Sequence, residues 1–178
     1  MAQSAQAYDL VIRGGRVVDP AQGLDAVLDV GIREGKVAAV EPGLDVSRAT
    51  RVVDATGKLV TPGLIDLHAH VYWRATKLSI EPDEVCGRTG VTTVVDAGTA
   101  GAATFDGLRH FVIERAKTRV LPFLHVSSIG LVTDQECRYL ELVDIQEAVE
   151  CVRENSDLIA GIKVRANKMG VGDQSVFP

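Results

Sequence analysis

Along residues 8 to 58 the apolar positions come in short, β-branched runs: Leu10-Val11-Ile12, Val17-Val18, Leu28 to Ile32, Val37 to Val40 and Arg51-Val52-Val53. Gly14-Gly15, Glu34-Gly35-Lys36 and Glu41-Pro42-Gly43 separate them, so the pattern predicts strands joined by hairpins and turns. In the middle run Leu28, Val30 and Ile32 alternate with Asp29, Gly31 and Arg33, the mark of a strand with one wet face. Residues 1–58 therefore read as a small sandwich-like β portion.

From Leu59 the period changes. Nearly continuous apolar runs at Leu59 to His70, Val91 to Asp96, Val120 to Val126 and Leu158 to Val164 alternate with helical segments. This predicts βα units around a parallel sheet whose strands are covered on both faces. Glu81-Pro82-Asp83-Glu84 suits a helix start with proline at the first position, and Gly90 suits its exit. A second helix is expected over about Phe105 to Lys117. A third follows Asp144, where Glu147 completes a capping-box-like spacing and Ile145, Ala148, Val149 and Val152 recur on one face.

Two places in the apolar runs carry groups that an apolar run does not explain. In Pro62-Gly63-Leu64-Ile65-Asp66-Leu67-His68-Ala69-His70, side chains two apart on a strand share a face, so His68 and His70 align as a pair of imidazole metal ligands. Asp66 lies one step deeper on that face, placed to orient a ligand from behind. The second place is Lys163, a lone cation in Leu158-Ile159-Ala160-Gly161-Ile162-Lys163-Val164. A lysine in low dielectric loses its charge readily, and its neutral amine can capture carbon dioxide as a carbamate, an anionic ligand with two oxygens. The plainer reading of Lys163 is a side chain that snorkels to solvent from a strand end.

Composition narrows the setting. The chain has 178 residues and a formal net charge of -5, so nucleic acid has no electrostatic reason to bind. Cys86, Cys137 and Cys151 show no Cys-x-x-Cys spacing and fit reduced thiols of a cytoplasmic protein. Met1 to Tyr8 is polar and lacks the apolar stretch of an export signal, and no run reaches the length of a membrane span, so no membrane partner is expected.

Together these residues resemble the amidohydrolase superfamily, whose members carry Asp-x-His-x-His at the end of the first strand of a (β/α)8 barrel. The entry Leu59 to Asp66, the segment Gly90-Val91-Thr92-Thr93-Val94-Val95-Asp96-Ala97-Gly98 and the run Gly161-Ile162-Lys163-Val164-Arg165 extend the resemblance. It implies an α/β fold: residues 1–58 as the N-terminal part of a small composite β-sandwich, and residues 59–178 as about the first four βα units of a TIM-type barrel. It also implies the binuclear subtype, with two divalent metal ions, zinc by default, and Lys163 as an N6-carboxylysine bridge beside His68 and His70. The segments Thr92 to Gly101 and Gly161 to Arg165 are most similar to a bacterial amidohydrolase or deacetylase branch related to dihydroorotase. The implied activity is hydrolysis of an amide or ester bond in a small molecule by a metal-activated hydroxide. A cyclic-amide hydrolase of dihydroorotase or hydantoinase type is the alternative within the superfamily.

The resemblance also implies ligands that these residues do not supply. Complete members add two histidines from later strands and a late aspartate as general base, so no catalytic base is assigned here. His110 falls in the second helix, where a surface or packing role is expected. Tyr72, Arg165 and His125 are placed by position as substrate contacts, with a loop salt bridge the competing role for Arg165. Ala97-Gly98-Thr99-Ala100-Gly101 reads as a tight strand-to-loop turn rather than a phosphate loop. The competing functional reading is a truncated, inactive half-barrel that binds metal or assembles as a homo-oligomer through open strand edges. On either reading the 178-residue chain alone is expected to be unstable and catalytically inactive.

Overall fold

The computed structural model describes residues 8–172, so the polar opening of the chain and the run Val176-Phe177-Pro178 lie outside the described residues. The chain divides at Pro62/Gly63 into two compact units.

The first unit is one five-stranded sheet. It comprises β1 (Tyr8–Asp19), β2 (Leu24–Arg33), β3 (Lys36–Glu41), β4 (Ala49–Asp54) and β5 (Leu59–Val60), ordered β3-β2-β1-β4 with β5 also on β1. β1 pairs antiparallel with β2 and parallel with β4 and β5. Two expectations change here. Gly14-Gly15 is not a turn but a bulge inside β1, where the register against β2 shifts between Ile12 and Gly15 and Gly14 takes φ +70°. A left-handed residue absorbs the extra length without ending the strand. Asp29 is not on a wet face either. It is buried, and its carboxylate accepts from Gly14 N–H at 2.7 Å and Leu44 N–H at 2.9 Å, clamping the bulge and a loop to β2.

The second unit is a parallel sheet with helices in its connections. Strands β6 (Leu64–Ala69), β7 (Val91–Asp96), β8 (Arg119–His125) and β9 (Gly161–Lys163) lie in the order β6-β7-β8-β9, every pair parallel. The run from Leu59 to His70 is thus two strands, since Thr61-Pro62-Gly63 carries no strand pairing and Pro62 has no N–H to donate. Helix α1 (Pro82–Thr89) has Glu81 as its cap, proline at the first turn and Gly90 left-handed at its exit. Helix α2 (Phe105–Leu108) continues as a π turn over Arg109–Ile113, shorter than the stretch to Lys117 that the sequence suggested. Helix α3 (Ile145–Glu154) is capped by Asp144, whose side chain accepts from Glu147 N–H at 3.0 Å. A short α4 (Lys168–Val171) closes the described chain.

The core of this unit joins Val94, Val120 and Leu124 of the sheet to Val71, Cys86, Phe105 and Leu108. Among the described residues β6 and β9 are each paired on one side only. Leu64, Ile65 and Leu67 on β6 and Ile162 on β9 are exposed. An open apolar groove of about 610 Å³ lies between α3 and β9, lined by Val126, Ile145, Val149, Ile162 and Val164.

One polar clamp aligns α1 with the start of β8. Both Asp83 oxygens accept from Lys117 N–H, at 3.0 and 2.9 Å, and Oδ1 also accepts from Thr118 N–H at 2.8 Å. These bonds, that from Lys117 first, hold the carboxyl below its usual range. A folded-state value below the unfolded one gives stability that is present above the unfolded pKa, about 4, and lost as pH falls through the folded value. Asp83→Asn is expected to cost about 1–3 kcal/mol at pH 7. Its cost should shrink progressively as pH falls below about 4, and urea midpoints showing a cost that does not fall with pH would refute this account.

Candidate metal centre

His68 lies near the end of β6 and His70 directly follows its last residue, Ala69, at the carboxyl end of the sheet. Their rings stand 5.5 Å apart, centroid to centroid, at 87°. His68 is exposed and His70 half-buried. Asp66 does not contact a ring. Its Oδ1 accepts from His68 N–H at 2.9 Å and so fixes the backbone that carries the first imidazole.

His70 is held from the neighbouring strand. Its Nδ1 lies 2.9 Å from Thr99 Oγ1, and Thr99 Oγ1 donates to Asp96 Oδ2 at 2.7 Å. Asp96, fully buried at the end of β7, also accepts from Thr99 N–H at 2.6 Å and from Val71 N–H at 2.8 Å. Burial lowers the pKa of His70; Asp96 opposes that shift, while His68, Lys163 and Arg165 add to it.

Lys163 reaches the same end of the sheet from β9, where it pairs in register with His125 of β8. Gly98 makes room for it. A Cβ on Gly98 would stand 2.3 Å from Lys163 Cβ, and Gly98 takes φ +79°, so glycine is required twice over. The Ala97 to Gly101 stretch is therefore a tight turn on which Thr99 and Gly98 meet His70 and Lys163.

The residues placed by position as substrate contacts have the following surroundings. Tyr72 turns its hydroxyl to the backbone of Gly107 in α2, leaving no room for a Cβ there. Arg165 grips Glu136 with two bonds, Nε to Oε1 at 2.5 Å and Nη2 to Oε2 at 2.6 Å, which is the salt bridge that competed with a substrate role. His125 is fully buried, accepts at Nδ1 from Ser127 N–H at 3.0 Å and places Nε2 3.6 Å from Glu136 Oε1, beyond hydrogen-bond distance. Burial pushes its pKa down to about 4, against the pull of Glu136. His110 is exposed in the π turn and pairs with Glu114.

Sequence reasoning missed Asp96, Thr99 and Glu136. Asp96 carried a signal, an acid abutting the continuous apolar run of β7. Glu136 carried none, because Asp134, Gln135 and Arg138 around it make a polar stretch in which only the fold selects one acid for burial.

The donor chemistry fits divalent ions: two imidazoles from one strand, and a lysine whose carbamate would add two oxygens. No cluster of three or more His, Cys, Asp or Glu side chains suited to a metal occurs among the described residues. The residues that could hold such an ion at this end of the sheet would be His68, His70 and Lys163.

A parallel sheet interleaved with helices, with His68, His70 and Lys163 at its carboxyl end, defines a βα-unit protein. The chain belongs to the amidohydrolase superfamily. An amidohydrolase family model matches residues 51–120. A deacetylase from Agrobacterium fabrum is 42% identical over 148 residues, which are 82% of this chain and 36% of that relative. Among solved structures, a dihydroorotase superposes with a TM-score of 0.84 at 37% identity, over 94% of this chain and 45% of that one. An adenine deaminase superposes with a TM-score of 0.81 at 32% identity, over 93% and 44%. The chain thus spans less than half the length of each of these relatives.

Proposed function

We propose that this chain supplies the first metal-binding half of a hydrolase site that cleaves an amide or ester bond in a small molecule, with residues 59–178 as about the first four βα units of a barrel. The observation that carries this reading is the convergence of His68, His70 and Lys163 at one end of one sheet, with Gly98 shaped to admit the lysine. His68 and His70 would hold one ion, and Lys163 as its carbamate would bridge to a second. Such ions, zinc by default, lower the pKa of bound water and polarise a carbonyl. Asp66 and Asp96 hold the backbone at His68 and just beyond His70, and Thr99 meets the His70 ring, so this part of the site is ordered without an ion.

The deacetylase relative supports an acyl substrate, and the dihydroorotase neighbour supports the cyclic-amide alternative. The setting we propose is cytoplasmic: the three cysteines are unpaired thiols, and no helix of the described residues is long and apolar enough to cross a membrane. A second reading, an inactive metal-binding module that self-associates, is favoured by the unpaired edges of β6 and β9 and by the apolar groove beside β9.

Zinc titration of the purified 178-residue chain in bicarbonate buffer tests the metal reading. The paired change His68→Ala with His70→Ala is expected to weaken binding by more than about 100-fold, the upper end of what an outer-shell substitution costs. Lys163→Ala should remove the second ion and spare the first. Binding that survives the double change would refute the assignment.

A further inference from the structure

The Asp96, Thr99 and His70 contacts determine more than position. As a carboxylate, Asp96 can only accept, and three donors already face it: Val71 N–H, Thr99 N–H and Thr99 Oγ1–H. The threonine hydroxyl owns one proton, and that proton is committed to Asp96 Oδ2 at 2.7 Å. What Thr99 Oγ1 turns toward His70 Nδ1, at 2.9 Å, is therefore a lone pair. A neutral imidazole beside a lone pair must carry its proton on that nitrogen.

We infer that Thr99 is a positioning residue that fixes His70 in the Nδ1–H tautomer, with Asp96 fixing the direction of the hydroxyl. The consequence falls on the other nitrogen. Nε2 is left with its lone pair, the form an imidazole needs to bind a metal ion. The relay also pins the ring's orientation, because Asp96 holds both the Thr99 backbone and the Val71 backbone just beyond His70. His68 is exposed and its ring has no hydrogen-bond partner among the described residues, so its placement depends on the backbone clamp from Asp66 instead. The metal part of this inference rests on the proposed function, and the tautomer part does not.

The test is imidazole nitrogen NMR of the metal-free, ¹⁵N-labelled chain at a pH where His70 is neutral, followed by zinc competition against a chromophoric chelator. His70 in the unsubstituted chain is expected to show Nδ1–H. Thr99→Ser keeps the hydroxyl and should retain both the tautomer and the affinity. Thr99→Val removes it and should shift His70 toward Nε2–H or a mixture, weakening zinc binding by about 10- to 100-fold. An Nε2–H signal for His70 in the unsubstituted chain overturns the inference whether or not the valine variant folds, as does Nδ1–H persisting unchanged in Thr99→Val. If the tautomer follows the hydroxyl but the chain binds no zinc, the relay stands and the metal reading fails.

Discussion

Arg165→Met is expected to destabilise the parallel-sheet unit by about 3–5 kcal/mol, the cost of leaving one member of a buried ion pair alone. Glu136 is 0% exposed at its side chain and Arg165 is 19% exposed, so the two ends of this pair are unequal. Without the guanidinium, the Glu136 carboxylate keeps no charged partner, because the nearest group is His125 Nε2 at 3.6 Å and burial holds that imidazole neutral. Glu136→Gln should cost less. The amide keeps an acceptor for Arg165, whose remaining charge reaches water and retains its bond to the Asp134 carbonyl at 3.0 Å. Urea unfolding of the two variants gives the comparison, and a glutamine variant as unstable as the methionine variant would contradict the asymmetry.

Gly101→Ala is expected to cost about 3 kcal/mol or more, at the upper end of what overpacking exacts, because the obstruction is backbone and cannot rotate away. A Cβ there would stand 1.8 Å from the Ser127 carbonyl oxygen and 2.6 Å from the Ser128 carbonyl carbon. Gly101 has φ -105°, which alanine accepts, so the whole effect is crowding. What would be pushed apart is a seam of hydrogen bonds. His125 N–H donates to Ala100 O, Ala103 N–H to Ser128 O and Leu131 N–H to Thr99 O, each at 2.9 Å. The loop bearing Thr99 would move with them. Gly87→Ala in α1, where nothing lies within 4 Å of the new carbon, serves as the control and should stabilise by about 0.5–1 kcal/mol. Thermal melting of both variants decides the point: a Gly101→Ala protein that melts with the unsubstituted chain would show that the two loops are not locked.

The sequence was most legible where one local rule acts alone. Pro82 after Glu81 marks a helix start through proline's fixed φ, and Asp144 marks another through its own side chain. His68 and His70 lie at the carboxyl end of β6 and just past it, where the apolar run placed them. Where the deciding partner is far along the chain, the reading failed. Asp29 looked solvent-facing by alternation, yet the bulge at Gly14 and the loop at Leu44 supply N–H groups that draw it inside. Gly14-Gly15 looked like a turn because a bulge and a turn both ask for a left-handed glycine. The position of Tyr72 and Arg165 beside His70 and Lys163 in sequence likewise does not reveal their neighbours Gly107 and Glu136.

Among the described residues β6 and β9 are each paired on one side only, and the proposed metal donors lie at these two edges. His68 and His70 belong to the first strand and its exit, Lys163 to the last, and edge strands are the parts of a sheet that fray first. Ions held by both ends would act as a removable cross-link across the mouth of the sheet, restricting the opened chain as a disulfide restricts an unfolded one. Occupancy would then govern folding stability as well as chemistry, and a chelator would loosen the outer strands before it disturbed the core around Phe105 and Leu124.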